Sequence, residues 1–126
     1  YKRLLRLHRE LDFYCPGFNV VTVDSATQCL AMGGFGGMEY GGLASVERYD
    51  SRSGLSLSIA PMGAKLALFG SCVLGNCAYV AGGKTHSPAD DWVSVAWVKE
   101  YDFETNRWSE LPPMERQRDC LSLCAV

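Results

Sequence analysis

Laid on itself with a shift of 49 residues, the sequence superposes Gly33 and Gly34 on Gly82 and Gly83, and Leu30, Ala31 and Met32 on Tyr79, Val80 and Ala81. With a shift of 52 it goes on to superpose Val46, Tyr49 and Asp50 on Val98, Tyr101 and Asp102, and Ile59, Pro61 and Met62 on Leu111, Pro113 and Met114. An internal repeat constrains the fold more than any other feature, because one copy cannot bury its apolar faces alone whereas stacked copies can. The change of shift inserts three residues into the second copy, within 84–97, where a loop would absorb them. Tyr1, Leu4 and Leu7 keep the spacing of Trp108, Leu111 and Met114 and so suggest the end of a further copy. Leu4, Leu7 and Leu11 equally fit one face of an amphipathic helix, and both readings stand.

Within each copy, short apolar runs are separated by Gly, Asn, Asp, Ser and Pro, the pattern of strands and turns. Four strands are predicted in the second copy, at 66–74, 77–81, 95–101 and 107–110, with Gly75 and Asn76 turning the first hairpin. The third alternates Val93, Val95, Trp97, Lys99 and Tyr101 against Ser94, Ala96, Val98 and Glu100, so both faces carry apolar groups, as in a sheet packed between neighbours. Pro112 and Pro113 remove backbone donors and end the fourth. The paired glycines permit positive φ and close backbone approach, so the chain can leave the second strand sharply. Tyr101 and Trp108 suit the layer between packed sheets, where their apolar rings are buried and their polar atoms find partners. Ser56 stands opposite Trp108 in the first copy, which makes that copy the weaker.

The Gly-Gly pair followed by a Tyr and, seven residues on, a Trp, as in Gly82, Gly83, Tyr101 and Trp108, resembles the kelch repeat. In the first copy Gly33, Gly34 and Tyr49 take the same places. The stretches 79–83, 100–108 and 111–119, with Pro113, Met114, Arg118 and Asp119, look most like plant F-box/kelch proteins, although no F-box segment is visible in this chain. The resemblance covers roughly 18–126. It implies an all-β fold, a partial β-propeller of about two four-stranded antiparallel blades plus the first strand of a third. The units expected are 1–17 as the end of a preceding blade or linker, 18–62 and 63–114 as blades, and 115–126 as the opening strand of the next. Two blades alone leave two apolar faces in water, so marginal stability or self-association is expected of this piece.

Composition narrows the function. With 48% hydrophobic and 21% charged residues the chain reads as folded, and its formal net charge of -2 argues against a nucleic-acid surface. No apolar run reaches the length of a membrane span. Cys15, Cys29, Cys72, Cys77, Cys120 and Cys124 match no paired zinc spacing and no dense secreted scaffold, so reduced, mostly buried thiols and a cytoplasmic or nuclear location are expected. His8 and His86, the only histidines, sit in no ligand cluster, and neither a metal nor another cofactor is expected. The glycines Gly33, Gly34, Gly36, Gly37, Gly41 and Gly42 lack the Gly-Lys-Ser ending of a phosphate loop. Some kelch-type propellers are copper oxidases, but two histidines fall short of that ligand set, and the chain is read as no enzyme.

In an antiparallel blade the connections from second to third strand, here 35–44 and 84–91, emerge at the same edge as those between blades, here 63–65 and 115–119. The partner-binding candidates on that edge are Tyr40, Lys84, His86, Trp92, Glu115, Arg116 and Arg118, since aromatic and Arg side chains are frequent interface anchors. Arg118 and Asp119 could equally form a structural pair, and Trp92 could equally fold onto the blade. The family resemblance implies a protein-binding module, most often substrate recognition in an SCF-type E3 ubiquitin ligase, with Skp1 and a cullin as partners only if an F-box lies upstream. The alternative it leaves is a structural or actin-associated kelch scaffold with no role in ubiquitination.

Overall fold

Strand-forming runs punctuated by turn residues produce strands and no helix among the described residues. The structure is a computed structural model and describes residues 19–24, 27–35, 42–89 and 91–126. The reading of 1–9, with its repeat and helix alternatives, lies outside them. Strands β1 (Asn19–Asp24), β2 (Gln28–Met32), β3 (Val46–Asp50) and β4 (Ser56–Ile59) form one antiparallel sheet in chain order. Strands β5 (Gly70–Leu74), β6 (Cys77–Ala81), β9 (Val98–Asp102) and β10 (Arg107–Leu111) form the second, again in chain order apart from a small ribbon, β7 (Lys84–His86) with β8 (Trp92–Ser94), inserted between β6 and β9. This is the all-β architecture of two four-stranded blades that the repeat implied.

Equivalent residues hold equivalent places in the two sheets. Cys29 lies opposite Tyr49 as Ala78 lies opposite Tyr101, and Tyr49 faces Ser56 as Tyr101 faces Trp108. The recurring Tyr-Asp pair has a turn-forming reason. Asp50 Oδ1 accepts from the N–H groups of Arg52 (2.7 Å) and Ser53 (3.3 Å), and Asp102 Oδ1 from those of Glu104 (2.8 Å) and Thr105 (3.3 Å). Such side-chain-to-backbone bonds bend the chain from the third strand into the fourth. Each turn closes on a left-handed residue, Gly54 at φ 73° and Asn106 at φ 52°. Asn is among the few non-glycine residues that adopt that conformation readily.

The core lies between the sheets. Leu30, Met32 and Val46 of the first meet Ala78, Val80 and Tyr101 of the second, with Met62, Leu66 and Phe69 of the connecting segment filling the same cluster. A directional clamp joins the sheets at their outer strands. The Trp108 indole N–H donates to the Ala60 carbonyl at 2.8 Å, while the Ala60 N–H (3.0 Å) and the Tyr101 hydroxyl (2.8 Å) both donate to Asn106 Oδ1. Arg48 of the first sheet lies 5.8 Å over the Phe103 ring of the second. Buried Lys99 reaches Glu110 at 3.2 Å. Ser56, which replaces the tryptophan in the first sheet, bonds Glu47 instead (2.9 Å) and makes no such reach.

Several expectations need correction. The strand foreseen at 66–74 begins only at Gly70, because Leu68 adopts φ 58° and breaks the extended run. The strand foreseen at 95–101 begins only at Val98, because the Trp97 carbonyl accepts from the Gly82 N–H (2.8 Å) at the sharp turn, and the preceding residues 92–94 belong to the ribbon. Residues 112–126 form no strand, and the common face foreseen for Cys120 and Cys124 is absent, since Cys120 sits at φ 53°. A lone strand has no ladder without a second strand to pair with. The described cysteines are not buried: Cys29, Cys72 and Cys77 are partly exposed and Cys120 and Cys124 are exposed. The strand cysteines point to the faces of the sheets turned away from the shared core, and Cys15 lies outside the described residues.

Candidate functional site

The glycine pairs are built into the edge of the sheets where the loops gather. A Cβ on Gly33 would lie 2.5 Å from the Leu66 carbonyl oxygen, and one on Gly82 would lie 2.4 Å from that of Arg118. The backbone can therefore take this sharp course only without a side chain, and both residues also have positive φ, 59° and 64°. Their partners Gly34 and Gly83 donate to the same carbonyls, at 2.9 Å to Leu66 and 2.7 Å to Arg118. Leu66 in turn donates to Leu43 O (3.1 Å) and Arg118 to Val95 O (3.2 Å), while Met62 donates to Ala44 O and Met114 to Ala96 O, both at 2.9 Å. The segment after each sheet thus ties down the loop within that sheet.

On this frame stands the β7–β8 ribbon, which holds the three-residue insertion. In the first copy the described residues of the corresponding course are joined by a bridge between Phe35 and Gly42. The ribbon is gripped on both sides. Ala67 and Lys84 exchange backbone bonds of 3.0 and 2.7 Å, and Thr85 donates its hydroxyl to Lys65 O at 2.8 Å. On the other side the Ser94 hydroxyl donates to Asp119 Oδ2, and Lys84 Nζ lies 3.9 Å from the same oxygen. The Ser94 hydroxyl, followed by the Cys120 thiol and, less, the Lys84 ammonium, holds the Asp119 carboxyl below its usual value near 3.8. Asp119 returns the effect by pushing the Cys120 thiol upward.

Of the candidate binding residues, Lys84, His86 and Trp92 come together on the ribbon. Trp92 is partly buried, edge-on to Phe35 at 4.7 Å and to His86 at 5.2 Å, with its ring against the Gly42 backbone. Its aromatic surface therefore joins the loops of the two sheets as well as lining the edge. Glu115, Arg116 and Arg118 follow on the neighbouring segment with exposed side chains. Tyr40 lies outside the described residues. The suggested pair of Arg118 with Asp119 is replaced by Asp119 with Ser94 and Lys84, because only the backbone of Arg118 turns inward to the glycine pair. Sequence reasoning passed over Ser94 and Asn106 and gave Asp119 a different partner; an Asn at the position of a turn glycine was the one available signal, for Asn106. Among the described residues no group of three or more His, Cys, Asp or Glu side chains is placed to hold a metal ion. No helix of the described residues is long and apolar enough to cross a membrane.

Residues 65–115, which contain the whole second sheet, match the family model of the Kelch motif. Kelch-like protein 25 of Xenopus tropicalis is 37% identical over an alignment of 94 residues that covers 71% of this chain and 15% of the relative. Kelch-like protein 9 of Mus musculus is 31% identical over 78 residues, 62% of this chain and 13% of the relative. Kelch-like protein 13 of Homo sapiens is 30% identical over 78 residues, covering 62% and 12% respectively. The chain spans between 12% and 15% of the length of these curated relatives. The match supports the kelch repeat type, and the internal superposition carries the same backbone bonding into the first sheet. These relatives are named Kelch-like and not F-box, so the plant F-box subtype is a narrower reading than the match supports.

Proposed function

We propose that the chain is a non-enzymatic protein-interaction module that engages a protein partner through the loop edge formed by 63–65, the β7–β8 ribbon and 115–119. The observation that carries this reading is the gripping of the ribbon by both adjoining segments, which gives a fixed platform around Trp92 bordered by the exposed Lys65, Arg116 and Arg118. Rigid supporting bonds matter because a contact surface that is already ordered loses less entropy when it binds. Arginine forks at its rim suit carboxylates. Within this reading the narrower role is substrate recognition in an SCF-type E3 ubiquitin ligase, which requires an F-box elsewhere in the whole protein to recruit Skp1 and a cullin.

The test is affinity purification of the full-length gene product from its own cells, comparing wild type with the Arg116→Glu, Arg118→Glu double variant. Both side chains are exposed, so the fold should persist. Loss of specific protein partners from the variant is the expected result, and an unchanged partner set removes this edge from consideration. Skp1 and a cullin should be retained by both forms if the ligase role holds, and their absence from both refutes that narrower role alone.

A further inference from the structure

The two outermost strands occupy the same place in their sheets but differ in a way that bears on association. β10 carries Arg107 and Glu110, the latter with a largely exposed side chain, whereas β4 reads Ser56, Leu57, Ser58, Ile59 with no charge. Edge strands present unpaired backbone groups and are normally protected by charge, proline or a bulge. β4 has none of these within it, and Leu55 and Leu57 are 69% and 65% exposed. Its edge lies across the sheet from β1, the strand that adjoins β5, and no other strand of the described residues pairs with it.

The register shows which groups are available. Asp50 N–H donates to Leu55 O at 2.9 Å, and Arg48 and Val46 lie opposite Leu57 and Ile59. Because bonded and non-bonded pairs alternate along an antiparallel ladder, Leu57 and Ile59 turn their backbone groups toward β3, while Ser56 and Ser58 turn theirs outward. The next outward-turned residue, Ala60, is already bonded by Asn106 and Trp108, which closes the edge at that end.

We propose that β4 pairs antiparallel with β4 of a second copy of this chain, about a two-fold axis at Leu57. In that register Ser56 of one copy meets Ser58 of the other in bonded pairs, Leu57 meets its counterpart, and Leu55 meets Ile59. Every cross-strand pair is apolar with apolar or hydroxyl with hydroxyl, and no like charges are opposed. The same crossing at β10 would bring its arginine and glutamate into the contact, which explains the choice of edge. The proposal does not depend on what binds the loop edge.

Sedimentation of the 126-residue chain from about 1 μM to about 1 mM should show a monomer passing to a dimer. Leu57→Lys removes the central apolar pair, and Ser58→Pro removes an outward N–H without touching the β3 ladder; each should raise the dissociation constant about tenfold or more. Circular dichroism checks that each variant folds, and the second serves if the first does not. Val20→Lys and Leu74→Lys, on the two open sheet faces, should leave the dimer unchanged. Amide exchange at Ser56 and Ser58 should slow as concentration rises. A monomer throughout, association that survives both edge variants, or association abolished by Val20→Lys or Leu74→Lys overturns the proposal.

Discussion

Replacing Trp108 by Phe isolates the directional part of the clamp between the sheets. The benzyl ring can keep the packing on Tyr101, now 5.2 Å between ring centroids, but the indole N–H that donates to Ala60 O at 2.8 Å is lost. A net hydrogen bond of this kind contributes about 1 kcal/mol, somewhat more if the carbonyl is left unpaired. Trp108→Ser, which installs the residue found at the equivalent place of the first copy, removes the ring as well. Large-to-small changes of buried aromatic residues cost about 3–5 kcal/mol, and since Trp108 is only partly buried, about 2–3 kcal/mol is expected. Asn106→Gly keeps the left-handed turn but deprives the Ala60 N–H and the Tyr101 hydroxyl of their acceptor, for about 1–2 kcal/mol. Because Trp108 and Asn106 both hold Ala60, their combined effect should depart from additivity by about 0.5 kcal/mol or more. Urea unfolding followed by circular dichroism measures each value, with unchanged m-values as the check on the comparison. Strict additivity, or a Trp108→Phe variant as stable as the parent, would falsify the clamp.

Gly83→Ala should lower stability by about 2–4 kcal/mol, since φ is 96° and the new Cβ would lie 2.7 Å from Ala67 O, a backbone atom that cannot swing away; thermal unfolding measures it. Tyr79, whose ionisation is pushed up to about 12 chiefly by its hydrogen bond to Glu100, should titrate late in ultraviolet absorbance, and Glu100→Gln should bring it back toward 10. Its raised folded value means that any stabilisation is present below the unfolded value near 10 and fades as pH rises through the folded one; an early Tyr79 titration contradicts this. The lowered carboxyl of Asp119 works in the opposite sense, adding stability above about 3.8 that is lost as pH falls through its folded value. Asp119→Ala should flatten that acid limb of a urea-midpoint profile. In a Cys15→Ser background, Cys124 should react with a disulfide reagent before Cys120, also exposed, whose thiol Asp119 holds up, as mass-mapped labelling at neutral pH can show.

The residues legible in the sequence were those whose role is fixed by their own chemistry. Gly33 and Gly82 repeat because only an absent side chain fits beside a carbonyl, and the Gly75-Asn76 turn follows from local preference alone. Tyr101 and Trp108 advertised a buried ring with a polar atom to satisfy. What stayed hidden depends on groups distant in the chain. Leu68 leaves the extended region at φ 58° while its carbonyl accepts from Cys120 at 2.8 Å, a partner 52 residues away. Alternation across 93–101 looked like one strand because periodicity does not register the Gly82 amide that captures Trp97. The cysteines misled for a related reason: burial preference is an average over whole domains, whereas here half of each sheet's surface faces away from the shared core. Trp92 was recognised as a surface aromatic, but its contacts with Phe35 and Gly42 cross from one copy to the other.

The bonds from Leu66 to Gly34 and from Arg118 to Gly83 set where this chain can be cut. A sheet excised at its last strand loses the carbonyl that receives its own glycine amide and the N–H that serves Leu43 or Val95, although every strand is retained. The separable unit therefore runs several residues beyond the final strand, into what looks like the start of its successor. Blade exchange or truncation should place its joint after 69 or 121 and not at 62 or 114. A chain shortened to 114 should then lose protection at Gly83 first, while the same chain carried to 121 keeps it.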